Sequence, residues 1–285
     1  MSKKTEFDLG NKVVQSNELI VGKWGLNASL LKLFEMAVSC IDTSKDLPSR
    51  EVHMSKQDIY ELFDYTSTRK YTHFREVTRE LQKQVVTFNM EDGRRRDIVL
   101  IPTVEWGTKE SDDLVIFKFH EDIMPFLIEL QEHFTQYQIA ELKFMKSQYS
   151  IVLFKYFVME YNKRIKHSKD GIVDIYLDMR ELRYITNTEN IYAENSRITD
   201  KVIEVAVNEI NGIGLEIPTT SYLVKYDIKR GKYNKIEGYY FSIRKRFGVE
   251  DRVFDNYTFH QSHIEKTTSI TKDEFHKKYK KSSFI

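Results

Sequence analysis

The chain of 285 residues has one cysteine, four prolines, eleven glycines and no excess of either charge, with 44 Lys and Arg against 43 Asp and Glu. Each scarcity excludes something. The lone thiol, Cys40, cannot form an internal disulfide, and its place in an apolar helical pattern marks it as a small buried hydrophobe rather than a nucleophile. Balanced charge removes the global basic signature of a nucleic-acid binder, so any such function must rest on where the cations sit. The longest apolar run, Ile151 to Met159, is interrupted by Lys155 and is too short to span a bilayer. Met1 to Asp8 lacks the apolar segment of a secretory signal, so a cytoplasmic setting without membrane contact is expected. There is no GxxxxGK[ST] loop for nucleotide phosphates. No Cys/His spacing suits a metal, and no cofactor is expected. His260 and His263 lie in a polar stretch that suits solvated surface. A rolling-circle nickase would need a His-x-His triplet beside a catalytic tyrosine. The triplet is missing, and the seventeen tyrosines read as core and surface residues. No Ser-His-Asp motif can be placed either. No catalytic residue is assigned, and the chain is not read as an enzyme.

With so few prolines and glycines, element boundaries have to come from periodicity. Leu26 to Ile41 reads as a helix capped by Asn27, with Leu30, Leu31, Phe34 and Val38 as its stripe. Val52 to Met54 reads as extended. Ser55, with Asp58 three residues on, opens a second helix with Ile59, Leu62 and Phe63 inward. Tyr71 to Lys83 is a third, buried through Phe74, Val77 and Leu81. Strands at Val85 to Met90 and Asp97 to Val104 flank the turn signal Asp92-Gly93. A strand at Leu114 to Phe119 and a helix from Glu121 to Glu132 follow. The second half repeats the order: a helix capped by Ser147 running to Lys163, a strand at Ile172 to Leu177, and a short helix capped by Asp178. A helix then buries Ile198, Val202, Val205, Ala206 and Ile210 and ends at Asn211-Gly212, before strands at Leu223 to Ile228 and Tyr239 to Ile243. Helix, strand, helix, turn, helix, hairpin is the order of a winged helix. The fold class is therefore α+β, two tandem winged-helix domains. Residues 1–136 form the first, 137–248 the second and 249–285 a polar, loosely ordered tail.

Charge placement supplies the functional signal. Between Lys225 and Arg246 stand eight basic residues, among them Lys229, Arg230, Lys232, Lys235 and Arg244, against only Asp227 and Glu237. Such a hairpin could lie along a phosphate backbone, or be a solvated loop. The helix before it adds to the first reading. Arg197, Lys201, Glu204 and Asn208, spaced by four, three and four, share the face opposite its apolar stripe. Arg can donate twice to guanine, and Asn can pair with adenine in the major groove. The first half offers a weaker version: Thr72, Arg75, Arg79 and Gln82 on one helix face, Arg69 and Lys70 before it, and Arg94, Arg95 and Arg96 at a hairpin tip. Glu76 and Glu80 lie close by, so a solvated face competes here.

Several segments, in order, resemble the plasmid replication initiators of the iteron-binding Rep3 type. They are Val14 to Ile20, Tyr71 to Leu81, Leu142-Lys143-Phe144-Met145-Lys146-Ser147-Gln148-Tyr149-Ser150-Ile151, and the helix end Ala206 with Glu209-Ile210-Asn211. The resemblance spans Val13 to Phe247, and Phe144-Met145 departs from the family's simpler pattern. It implies a protein that binds double-stranded DNA at origin iterons and at its own operator. It also implies opening of adjacent AT-rich DNA, recruitment of host replication initiator and helicase proteins, and a monomer–dimer equilibrium, with the second winged helix as principal reader. A dedicated repressor on the same fold, or a nicking initiator, are the alternatives. Direct repeats beside the gene would favour the initiator, and a lone inverted repeat the repressor.

Overall fold

A computed structural model describes residues 6–42, 49–63, 70–89, 92–107, 112–128, 130, 133–216 and 220–246. Arg69 and the expected tail 249–285 lie outside the described residues, as does the side chain of Lys70. The elements below belong to one compact unit with a continuous apolar core.

The chain opens on β1 (Lys12–Ser16), α1 (Asn17–Val21) and β2 (Lys23–Trp24). Then come α2 (Ala28–Ser39), β3 (Glu51–Ser55), α3 (Lys56–Leu62) and α4 (Lys70–Leu81). The strands β4 (Val85–Asn89), β5 (Arg95–Val99), β6 (Thr103–Trp106) and β7 (Leu114–Lys118) follow. They form two antiparallel three-stranded sheets, ordered β2-β4-β5 and β3-β7-β6. β8 (Phe134–Gln138) returns to pair with β1. The expected caps are in place: Asn27 accepts from the Leu30 amide at 3.0 Å, and Ser55 and Asp58 form a reciprocal capping box. Gly93 turns the hairpin with φ of 81°, a conformation that costs glycine nothing.

Three expectations need correction here. The run Asp97 to Val104 is two strands, because Pro102 has no amide for the ladder. β5 goes to one sheet and β6 to the other. The helix expected over Glu121 to Glu132 is a 3₁₀ turn, Glu121–Phe126, with Pro125 inside it. Finally, α2 has no solvent face along most of its length. Leu33, Met36, Ala37, Lys32 and Glu35 are buried along with its expected stripe, because α2 packs against α4 and also against the first helix of the second half.

That helix is α5 (Gln148–Arg164), capped by Ser147, which accepts from the Tyr149 amide at 3.2 Å. β9 (Ile172–Asp178) and α6 (Met179–Ile185) follow, α6 capped by Asp178. Next comes a helix in three pieces: α7 (Asn195–Ile198), a π turn Thr199–Ile203, and α8 (Glu204–Asn211). Gly212, at φ 68°, ends it in the left-handed conformation. β10 (Tyr222–Arg230) and β11 (Ile236–Lys245) form a long hairpin, and β11 pairs with β9 to complete the sheet. Phe157 of α5 packs on Phe241 at 4.8 Å between centroids, and Tyr222 meets both Phe154 and Tyr161 edge-on. Both halves are winged helices, and each was legible as one in the chain order.

The halves share more than apolar surface. Glu35 of α2 is fully buried and accepts from Lys155 of α5, from Gln15 of β1 and, at 2.9 Å, from the Tyr137 hydroxyl of β8. The Lys155 ammonium also lies 4.3 Å from the centre of the Trp24 ring. Burial pulls the Lys155 pKa down while the adjacent Glu35 carboxylate acts the other way. The Lys32 ammonium donates to the Lys143 carbonyl at 2.7 Å. Burial lowers its pKa to about 8 against the opposing pull of Glu209.

Candidate nucleic-acid interface

The helix of α7, the π turn and α8 is held at both ends. At its start, Arg183 of α6 spreads its guanidinium over the loop that leads in. It donates to the carbonyls of Thr188 at 2.7 Å, Ile191 at 2.8 Å and Tyr192 at 2.6 Å, and to Asn195 Oδ1 at 3.1 Å. The Asn195 amide donates onward to the Ile236 carbonyl at 3.0 Å, which ties the helix start to the tip end of the β10–β11 hairpin, directly after its turn. In the π turn, the Thr199 and Tyr239 hydroxyls bond at 2.8 Å. At the far end, the Asn211 side chain brackets Val224 of β10, donating to its carbonyl at 2.8 Å and accepting from its amide at 2.9 Å. Glu209 accepts from the amides of Lys146 and Ser147, both at 3.0 Å, at the start of α5. The helix end Glu209-Ile210-Asn211 is thus architectural: one residue caps α5, one sits in the core, and one fastens a strand.

The π turn changes which residues face inward. Ile198, Val202, Ile203, Ala206, Val207 and Ile210 are buried, while Val205, expected inside, is only half-buried. One extra residue per turn rotates the pattern, which a constant 3.6 period cannot anticipate. The expected outer face survives: Arg197, Lys201, Glu204 and Asn208 are all exposed, joined by Asp200.

Beside this face stands the hairpin. Lys232, Tyr233 and Asn234 form its tip, closed by bonds from the Gly231 amide to the Lys235 carbonyl at 2.8 Å and from the Lys235 amide to the Lys232 carbonyl at 3.3 Å. Lys232 and Lys235 are exposed and Lys229 half-buried. Among the described residues, none of Arg197, Lys201, Lys229, Lys232 and Lys235 pairs with a carboxylate within 4 Å. Arg230 folds back, donating to the Asn234 carbonyl at 3.2 Å, so part of its guanidinium shapes the turn. Arg244 is displaced from the cluster. It pairs with Leu223 and Ile172 at the opposite end of the hairpin and is half-buried. Arg183→Met lowers unfolding free energy by about 2 kcal/mol, because four acceptors, most of them partly buried, lose a charged donor. Urea denaturation measures the loss.

In the first half, Thr72, Arg75 and Arg79 are exposed on α4, while Gln82 donates to the Pro102 carbonyl at 3.1 Å. Arg95 and Arg96 are not at the tip. Both are exposed in β5, where their backbones pair with Asn89 and Phe88. Arg94 is at the turn, donating through Nε to Asp92 at 2.6 Å, and this bond holds the Asp92 carboxyl below its ordinary pKa.

An exposed helix face fastened to a cationic hairpin, on a helix–strand–helix scaffold made twice, defines a two-winged-helix DNA-binding protein. Two family models match the chain, "Initiator Replication protein, WH1" over residues 12–158 and "Initiator Rep protein, WH2" over residues 178–243, and the chain belongs to this family of replication initiators. It is a sequence-specific DNA-binding initiator of plasmid replication. Its fold is similar to the crystal structure of the Pi initiator protein in complex with iteron DNA, with a TM-score of 0.69 and 18% identity over 85% of this chain and 100% of that one. Among the described residues, no helix is long and apolar enough to cross a membrane.

Proposed function

We propose that the second winged helix, residues 137–248, is the main reader of repeated origin sites. Arg197, Lys201 and Asn208 address base edges in the major groove. Lys229, Lys232 and Lys235, with the free part of Arg230, hold phosphates beside it. The observation that carries this reading is the Asn195–Ile236 bond, which joins the start of the helix to the tip end of the hairpin. The Pi initiator, a protein of the same fold, is held on iteron DNA in its crystal structure, which supports the same partner here. The first winged helix, residues 1–136, adds Lys70, Arg75, Arg79, Arg94, Arg95 and Arg96, with Arg69, as accessory contacts or serves self-association. The chain acts without catalysis of its own, in the cytoplasm on its plasmid. It recruits host initiator and helicase proteins and represses its own gene at an operator.

Footprinting on the DNA flanking the gene tests this, with protection of direct repeats as the expected result. Protection of a single inverted repeat would point to a dedicated repressor, and relaxation of supercoiled origin DNA with a divalent metal to a nickase. Arg197→Ala costs about 1–3 kcal/mol on the protected repeat and much less on unrelated duplex. An equal loss on both would place Arg197 on phosphate.

A further inference from the structure

Tyr233 is 100% exposed, a large aromatic ring with no packing contact among the described residues that would repay its position. It also holds a backbone conformation that disfavours it. Tyr233 at φ 57° and Asn234 at φ 61° are both left-handed, the mirror-image turn that glycine and asparagine occupy most easily. The fold gains nothing from tyrosine there, since glycine would relieve the strain and no packing would be lost. The ring is flanked by Lys232 and Lys235 at the tip of the hairpin, and Ile236, directly after that turn, is bonded to the start of the helix bearing Arg197 and Lys201.

On the reading that this helix occupies a major groove, a hairpin tip bonded beside the helix start lies across one phosphate backbone from it, at the adjoining minor groove. That groove is about 6 Å wide in B-form DNA, against about 12 Å for the major groove. Two strands with backbones roughly 4.8 Å apart, plus their side chains, cannot enter it. A single planar ring projecting from the tip can. The geometry points to Tyr233 as a minor-groove contact: its ring lies between the sugar walls, its hydroxyl reaches the adenine N3 and thymine O2 acceptors, and Lys232 and Lys235 straddle the phosphates on either rim. A neutral ring of this kind favours A·T steps, where no guanine amino group blocks the groove floor. It adds a preference for DNA flanking the bases read by the helix. The assignment deepens the proposed function, and the experiment separates the two.

The probe is the duplex protected in the footprint, with wild type, Tyr233→Ala, Tyr233→Gly, Tyr233→Phe and Lys232→Gln compared. Tyr233→Ala and Tyr233→Gly bind about tenfold more weakly, the scale of truncating an aromatic interface anchor. Their salt dependence is unchanged because no phosphate contact is lost, whereas Lys232→Gln flattens it. Tyr233→Phe stays closer to wild type. Netropsin, which fills A·T minor grooves, weakens the wild type and loses its effect on Tyr233→Ala. Tyr233→Gly melts no lower than wild type, so weaker binding cannot be assigned to misfolding. Wild-type affinity for Tyr233→Ala, or an unchanged netropsin effect on it, overturns the assignment and leaves the DNA-reading helix standing. Failure of the wild type to bind any duplex removes the proposed function itself and the assignment with it.

Discussion

Replacing Lys229, Lys232 and Lys235 together by glutamine weakens binding to every duplex by about a hundredfold at physiological salt. Each lysine that neutralises a phosphate releases counterions, and the slope of log K against log salt changes by about 0.9 for each such contact. Three lost contacts therefore flatten the slope by roughly 2.7, and at about 0.15 M salt this corresponds to some two decades of affinity. Glutamate at the same three positions goes further, because repulsion replaces each attraction. Arg230 is left in place because its bond to the Asn234 carbonyl helps shape the turn. The signature is uniformity: cognate and unrelated DNA lose the same factor, whereas Arg197→Ala acts mainly on the cognate repeat. Filter binding or fluorescence anisotropy across a salt series reads both. An unchanged slope in the glutamine variant would remove the hairpin from the phosphate contacts. All three side chains point into solvent or are only half-buried, so thermal unfolding stays near wild type.

The order of elements was legible because each winged helix is built from local signals. Asn27, Ser55, Ser147 and Asp178 all cap the helices they were expected to cap. Features set by distant parts of the chain were not legible. β1 and β8 meet across more than a hundred residues, and neither strand alternates strongly enough to announce itself. Pro102 could have split the run Asp97 to Val104 beforehand, since proline is a poor ladder residue; the apolar residues on both sides masked it. The π turn rotates Val205 outward through a backbone choice that no side chain signals. Arg244 was grouped with the hairpin cluster by proximity in sequence, yet antiparallel pairing carries it to the far end from Lys232. Of the candidate site, the outer helix face was readable from periodicity. Arg183, Asn195 and Asn211 were not, because their importance lies in which carbonyls they meet, and those belong to other elements. Tyr233 could have been found by asking what sits at the tip between Gly231 and Lys235, since an aromatic there has no core to join.

In the sequence Lys155 is only a charge interrupting an apolar run; in the fold its ion pair contributes strongly to stability. Its partner Glu35 accepts from three donors: Lys155, Gln15 and Tyr137. Replacing Glu35 by leucine strands all three, including an ammonium in the core, while Lys155→Met strands one carboxylate that keeps two donors. Breaking a buried pair from one side costs about 3–5 kcal/mol. Glu35→Leu falls at the upper end and Lys155→Met at the lower. Methionine also keeps a contact with Trp24, since its thioether packs well on an aromatic ring. The double variant recovers part of the loss, because neither charge is left alone, though Gln15 and Tyr137 remain without their acceptor. Denaturant unfolding of the four proteins closes the cycle, and a coupling near zero would show that the two residues act independently. Glu35 sits on α2 and Lys155 on α5. The energy of this pair is therefore concentrated between α2 and α5; the Lys32–Lys143 bond joins α2 to the segment just before α5, and Glu209 fastens the end of α8 to the start of α5. Loss of the pair should consequently weaken DNA binding in proportion to the fraction unfolded and no further, unless the pair also sets the orientation of α8. An affinity loss exceeding the unfolded fraction, measured well below the denaturation midpoint, would identify the pair as a positioning element for the interface as well as a support of the core.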